Sequence, residues 1–329
     1  MPSGAARPVT VLAAGGTIAM AGGPASGAAP ELDASALVAA VPSLAALPGL
    51  EARTLDTRPS AQLSAAAALD IARAAALEAD SGRGVVVTHG TDTLEEVALL
   101  CDLIYAGEEP IVFTGAMRPA SAAGADGPAN LLDAVAVAGA TDAAGLGVLV
   151  AFAGRVHAAR AVRKADSTAP DAFASPRLGP VGRVQEGRAR ISRRLERHPP
   201  VPVAGLDATV HVVAAGLGTD GALVDAAVEA GADGLVAVLL GAGHTPPPFL
   251  VALRRAAARI PVVATVRPER GSILRGTYAF EGAERDLRAT PVICAGAFSH
   301  AAARIKLMAC LGAGYTRVAT AGAFAPDDS

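Results

Sequence analysis

Short runs of β-branched and aliphatic residues recur along the chain, each followed by a longer Ala/Leu-rich stretch. The runs are Val9–Ala13, Gly84–Thr88, Pro110–Thr114, Gly147–Phe152, Ala208–Val213, Gly234–Leu240 and Pro261–Val266. Between them lie Ser64–Asp80, Asp92–Tyr105, Asp126–Ala140, Gly221–Ala230 and Pro247–Ala258, all of helical length. Continuous apolar strands alternating with helices predict an α/β fold, with a parallel sheet covered on both faces. Ligands bind such sheets beyond the carboxyl ends of the strands, so function is expected in the residues just after each run. The rhythm breaks at Gly182–Pro202, an Arg-rich stretch ending in Pro199–Pro200–Val201–Pro202. It reads as an interdomain linker with a hairpin before it, or as a long surface loop of a single domain.

Composition narrows the class of protein. Hydrophobic residues make up 52% and charged ones 18%, with a net charge of −3. A disordered chain is excluded, and no basic surplus points to nucleic acid or an acidic membrane. Roughly a quarter of the residues are alanine, which favours helix but buries little area, so the core must rest on Leu, Val and Ile. No apolar run is long enough to predict a membrane span, and the residues after Met1 do not resemble a secretory signal. Cys101, Cys294 and Cys310 are odd in number and far apart, and read as reduced core residues. A cytoplasmic location is expected.

Three strands are followed by informative segments. After the first comes Gly15–Gly16–Thr17–Ile18–Ala19, after the second His89–Gly90–Thr91–Asp92–Thr93, after the third Gly115–Ala116–Met117–Arg118–Pro119. Glycine permits a sharp turn and close approach of a ligand, and a Thr beside it presents a hydroxyl that needs a base to act as a nucleophile. The bland readings are a turn residue for Thr17 and helix caps for the second segment, with Thr93/Glu96 as a capping box and Asp92/Glu95 as a looser one. Lys164 supplies a candidate base. Lys and Arg total 28, and only Lys164 and Lys306 are lysines. Arg does not release its proton in a protein, whereas Lys can, so a lysine in so Arg-biased a chain suggests that deprotonation matters there. Lys306 has no comparable setting and reads as structural or exposed.

Gly216–Leu217–Gly218–Thr219–Asp220–Gly221 matches a dinucleotide fingerprint by letter, but the next strand ends in Gly241–Ala242–Gly243–His244, with no acid to hold a ribose. The six histidines are isolated and give no metal motif. His89 reads as a buried, hydrogen-bonded turn residue.

The two Gly–Thr segments together resemble the bacterial-type L-asparaginases, the asparaginase/glutaminase family. Similar segments are Thr114–Pro119, Asp126–Gly127–Pro128 with Asn130–Leu131, Lys164 with Ser167–Thr168 and Phe173–Ala174–Ser175–Pro176, and Thr277–Glu284. The resemblance covers about residues 9–310. It implies two three-layer α/β/α domains: a larger N-terminal parallel-type domain (1–190), a linker (191–204) and a smaller Rossmann-like C-terminal domain (205–329). It implies hydrolysis of the side-chain amide of L-asparagine to aspartate and ammonia, without cofactor or metal. The alternatives are an amidohydrolase preferring glutamine or another amide, and a non-catalytic amino-acid-binding sensor.

Residue by residue, the resemblance makes Thr17 and Thr91 the catalytic threonines, with Thr17 the usual nucleophile. Thr91, Asp92 and Lys164 form a hydroxyl–carboxylate–lysine set. Gly16 and the Gly90–Thr91 turn line the substrate, Ser60 meets its α-carboxylate and the Ala116 carbonyl receives the leaving amide. Glu284 reaches the substrate ammonium from a neighbouring subunit, which implies a homodimer or homotetramer with shared sites. The chain departs from the family in three places. Residues 18–50 hold no Tyr where members usually have one, although the loop Gly22–Pro30 could still form a lid. Ala61 follows Ser60 where many members have Gln, and His244 stands where many have Asn.

Overall fold

The computed structural model describes residues 7–22, 27, 29–296 and 298–325. The candidate lid Gly22–Pro30 therefore lies partly outside the described residues, at 23–26 and 28. The chain divides into two compact units, Met1–Pro200 and Val201–Ser329.

The first unit contains strands β1 (Val9–Ala14), β2 (Met20–Ala21), β3 (Ala29–Pro30), β4 (Leu50–Asp56), β5 (Gly84–His89), β6 (Ile111–Thr114), β7 (Val148–Phe152), β8 (Arg155–Ala158), β9 (Arg163–Lys164), β10 (Phe173–Ala174), β11 (Gly182–Gln185) and β12 (Arg188–Ile191). Eight of them form one sheet in the order β12-β11-β8-β7-β6-β5-β1-β4. The five from β4 to β7 are parallel. Every residue of β1, β5, β6 and β7 is buried, which is why these strands read as continuous apolar runs. Val11, Val86, Val112 and Leu149 share a core with Leu131, Ala134 and Val135 of helix Gly127–Ala138. Their neighbours Leu12, Val85, Val87 and Phe113 point to the opposite face and are equally buried. Helices Ala65–Ala79 and Leu94–Ile104 pack on each other and on this sheet. The result is three layers.

The sheet is mixed rather than all-parallel, because β8, β11 and β12 run antiparallel at one edge. The β11–β12 turn places Glu186 (φ 52°) and Gly187 (φ 68°) in the left-handed region, as a two-residue hairpin requires. The Arg-rich stretch thus begins as an edge hairpin. It continues as a strap, with Arg194 donating to the carbonyls of Asp142 and Ala144 and Arg197 to those of Tyr105 and Gly107.

The second unit is a parallel sheet, β13 (Val210–Ala214), β14 (Gly234–Leu239), β15 (Val262–Val266) and β16 (Ile293–Cys294), in that order. Helices Ala222–Glu229 and Pro247–Arg259 build its core with Val213, Leu235, Ala237 and Val262, and helix His300–Gly312 also packs on the sheet. Of the fingerprint-like glycines, Gly221 serves packing and Gly218 turns the chain at φ 72°. A Cβ on Gly221 would fall 2.3 Å from Ala252 Cβ, and the amide of Gly216 is taken by Thr219 Oγ1 at 2.8 Å. Among the described residues no helix is long and apolar enough to cross a membrane.

Candidate active site

The connection after β1 leads towards β4, on one side of it, and the connection after β5 leads to β6, on the other. Adjacent parallel strands whose connections diverge leave a crevice at their carboxyl ends, the topological switch point of an α/β sheet. Thr17 follows β1 at this point and Thr91 follows β5. Thr17 opens the short turn Thr17–Ala19 and is half-buried; Thr91 is buried.

Glycine lets the loops meet. Gly16 adopts φ 89°, ψ 175°, a conformation almost restricted to glycine, and a Cβ there would lie 2.3 Å from Gly90 N and 2.4 Å from Gly90 Cα. A Cβ on Gly90 would lie 2.5 Å from Ser60 Oγ. Gly16, Gly90 and Ser60 therefore stack in close contact. Ser60 is buried at the start of the turn Ser60–Gln62. The segment before it is braced by Asp56, which accepts from Arg58 N (2.8 Å) and Arg58 Nε (3.0 Å). These bonds to Arg58 hold the Asp56 carboxyl below the usual range despite partial burial.

The third loop has its own brace. Asp126 accepts from the amides of Met117 and Arg118, both at 2.9 Å. Buried Asn130 donates to Gly115 O (3.0 Å) and Asp126 Oδ2 (3.1 Å) and accepts from Ala153 N (3.0 Å). Ala116 is held between these contacts and packs in the same core as Ile18.

Lys164 lies on the two-residue strand β9, paired with β10. Its Nζ donates to Thr91 Oγ1 at 3.0 Å and to Asp92 Oδ1 at 2.8 Å. The Asp92 side chain is 65% exposed and that of Lys164 20%, so the ion pair contributes about 0–1 kcal/mol to stability. Its effect is to orient the lysine against the hydroxyl. His89 is buried beneath the turn with Nδ1 2.8 Å from Gly90 O, and burial lowers its pKa, leaving the ring neutral.

The capping expectation is corrected. Thr93 is the N-cap residue of helix Leu94–Ile104, but its side chain makes no capping bond; its hydroxyl donates to Ser60 O at 3.3 Å. The Glu95 carboxylate accepts from the main-chain amide of Lys164. From sequence Glu95 reads only as a capping partner of Asp92, and Asp126 and Asn130 only as members of a segment similar to the family; the bracing contacts they make are seen in the structure. The signal for Glu95 in the sequence is its place in the first turn of the helix that follows the Gly90–Thr91–Asp92 segment.

Glu284 belongs to the second unit, at the start of helix Glu284–Arg288. It is fully enclosed, accepts from Tyr278 N at 2.7 Å and lies 3.4 Å from His244 Nε2. Burial alone would raise its pKa; the amides of Tyr278, Glu284 and Thr277 and the nearby His244 outweigh it, and the net shift is downward. Tyr278 and Phe280 pack edge-on against the His244 ring. Among the described residues no group of three or more His, Cys, Asp or Glu side chains is placed to hold a metal ion.

Fold and site together define an α/β protein that sets a threonine hydroxyl, a lysine and a carboxylate at the switch point of its larger sheet. The N-terminal domain of the asparaginases matches residues 8–197, and the glutaminase/asparaginase C-terminal domain matches residues 209–324. The chain belongs to the asparaginase family. It is 35% identical over 326 residues to a probable L-asparaginase of Deinococcus radiodurans, covering 96% of each chain. It is 33% identical over 312 residues to a probable periplasmic L-asparaginase of Haemophilus influenzae, covering 92% of this chain and 88% of the relative. A glutaminase-asparaginase of Pseudomonas fluorescens biotype A is 40% identical over 187 residues, 55% of this chain and 51% of the relative.

Proposed function

We infer that the protein hydrolyses the side-chain amide of L-asparagine to L-aspartate and ammonia through a threonine nucleophile. The observation that carries this reading is Lys164 Nζ, 3.0 Å from the Thr91 hydroxyl and 2.8 Å from the Asp92 carboxylate at the switch point. In its neutral form Lys164 accepts the Thr91 proton, and Asp92 keeps the nitrogen aligned. Thr17, across the crevice, attacks the amide carbon. Its proton passes to the leaving nitrogen, the C–N bond breaks and ammonia departs. Water then attacks the Thr17 ester and gives a proton to the Thr91–Lys164 pair; the ester C–O bond breaks, the pair returns that proton to the Thr17 oxygen, and aspartate is released. Backbone N–H groups of the Gly90–Thr91 turn stabilise the oxyanion. Ser60 and Gly16 contact the substrate's α-carboxylate end, and the Ala116 carbonyl accepts from the leaving amide.

In this reading Glu284, enclosed within its own chain, is uncovered on assembly and binds the substrate ammonium in a neighbouring subunit, and the assembly is a homodimer or homotetramer. Sedimentation of the native chain tests the assembly. Mixing inactive Glu284→Ala and Thr91→Val chains tests the sharing, since recovered activity requires a site built from both. A cytoplasmic location belongs to the same reading and is tested by fractionating the native host; the Haemophilus relative is named periplasmic. The central experiment is ammonia release from asparagine and glutamine by the native chain and by Thr17→Ala, Thr91→Val and Lys164→Arg. Each variant is expected to lose at least about 100-fold in kcat. Lys164→Arg is the sharpest, because it keeps the charge and removes the base. Wild-type turnover by all three would overturn the mechanism.

A further inference from the structure

The strand that carries Lys164 is a weak platform. It has two residues, and its register with β10 consists of two pairs, Lys164 with Phe173 and Arg163 with Ala174. An isolated ribbon of this length is marginal, and four flexible methylene groups separate the lysine backbone from its nitrogen. A displacement of about 1 Å at a reacting group can cost about 100-fold in rate. Something must hold this lysine more firmly than its own strand does.

Two contacts do so. On the far side of the ribbon, Ser175 Oγ lies 2.9 Å from His157 Nδ1, which ties the end of β10 to β8. On the near side, Glu95 Oε2 accepts from Lys164 N. Glu95 lies one helical turn after Asp92, in the first turn of helix Leu94–Ile104. Five consecutive residues, Thr91 to Glu95, thus grip one lysine at three points. Thr91 Oγ1 and Asp92 Oδ1 take the ammonium, and Glu95 takes the backbone. All three lie in the connection and first helical turn that follow β5, a strand buried throughout. The same turn that supplies the hydroxyl therefore sets where the lysine stands relative to it.

We propose that Glu95 is a positioning residue for Lys164, its carboxylate fixing the lysine main chain so that the nitrogen stays in hydrogen-bonding reach of the Thr91 hydroxyl. This rests on the hydrolytic reading of the site, and Glu95 touches neither substrate nor reacting atoms. Glu95 is half-buried, and the arrangement carries a desolvation cost. Desolvation pushes the Glu95 carboxyl above the usual range, partly opposed by the Lys164 amide and the charges of Arg163 and Lys164. The bond to the Lys164 amide is the contact that offsets this cost.

The scarcity of lysine makes a direct test practical. Protein labelled with 13C at lysine Cε gives two signals, from Lys164 and Lys306, and Lys164→Arg assigns them. In Glu95→Ala the Lys164 signal is expected to shift and broaden while that of Lys306 stays in place. The kcat for asparagine should fall about 10- to 100-fold, with KM changed less than about threefold. Glu95→Gln keeps an acceptor oxygen and should restore both the signal and kcat to within about threefold of the native values. A Lys164 signal in Glu95→Ala that superposes on the native one overturns the proposal. So does an unchanged kcat, or a Gln variant as impaired as the Ala variant, which would assign the role to charge instead of position. If the native chain releases no ammonia from either amide, the hydrolytic reading fails, and the lysine signals still decide whether Glu95 positions Lys164.

Discussion

Replacing Gly90 with Ala, alone and together with Ser60→Gly, interrogates the crossing of loops on which the site is built. A Cβ at residue 90 would sit 2.5 Å from Ser60 Oγ, 2.6 Å from Ser60 Cβ and 3.1 Å from Ser60 N. Carbon contacts are comfortable at about 3.5–4.0 Å, so about 1 Å must be found. Ser60 is buried and its carbonyl accepts from Thr93, so the serine cannot retreat without disturbing the turn that leads into the helix. Overpacking of this kind costs about 1–3 kcal/mol. For a unit of this size that is about 2–12 °C in Tm. Ser60→Gly removes the two closest atoms and itself costs about 0.5–1 kcal/mol through added backbone freedom. The double variant should therefore be more stable than the sum of the single effects, with a coupling of about 0.5–3 kcal/mol. Melting curves of the four proteins give the cycle, and ammonia release from asparagine runs beside it. Gly90→Ala should lose at least about 10-fold in kcat/KM through displacement of Thr91. The double variant should regain Tm but keep a raised KM, because the Ser60 hydroxyl is gone. A Gly90→Ala protein that melts within a degree of native, or single costs that simply add, would refute the close crossing.

Burial and the neighbouring Arg155 charge depress the His157 pKa to about 4. A folded-state value below the unfolded one contributes stability that is present above about pH 6.5 and lost as pH falls towards 4, about 3 kcal/mol in all. Melting between pH 7 and pH 4.5 should fall less steeply in His157→Gln; an equal slope refutes the assignment. For Glu95 the sign is reversed, since its folded pKa is raised. Ionisation costs stability above the unfolded value, so at pH 7 Glu95→Gln should melt no lower than native, and the difference should shrink as pH falls through the raised value. A Gln variant that melts clearly lower at pH 7 contradicts this. Asn130→Ala leaves the Gly115 carbonyl and the Ala153 amide without their side-chain partner. At about 1–3 kcal/mol for each buried group the loss should be about 2–6 kcal/mol, and a loss below about 1 kcal/mol by calorimetry would show that the loop is braced elsewhere.

The central strands were legible because they are buried on both faces, so composition and burial coincide. β4 was not. Its residues Leu50–Asp56 alternate towards solvent at the sheet edge, and with Glu51, Arg53 and Asp56 it reads as a polar connector. The antiparallel strands β8, β11 and β12 are short, and only the hairpin turn hinted at them. Thr17, Thr91 and Asp92 could be located because a parallel sheet places function after its strands, whatever the chemistry. Glu95 could not be given its role in that way. Its partner is a main-chain amide 69 residues away, and no residue type advertises a backbone donor.

The lysine count needs a different interpretation once burial is known. Lys306 is 2% exposed and lies 4.3 Å from the centre of the Phe298 ring and 5.2 Å from that of Phe324. It is therefore the structural lysine of the two readings, an ammonium against aromatic faces. Both lysines are thus withdrawn from solvent to some degree, while the exposed positive charges are written as Arg. Scarcity by itself selects places where a compact ammonium is needed, and one of the two has no titratable role in the proposed chemistry. Lys164 is distinguished by what faces it: a hydroxyl at 3.0 Å, with a carboxylate on the same nitrogen. An Arg at 306 would have to fit a planar fork between two phenyl rings, a packing problem measured by Tm. An Arg at 164 would retain a cation beside Asp92 and still be unable to take the threonine proton. The two Lys→Arg substitutions should therefore separate, Lys306→Arg lowering Tm with kcat kept in the folded fraction, and Lys164→Arg abolishing turnover with Tm nearly unchanged. Equal losses of turnover in the folded proteins would remove the base from the mechanism.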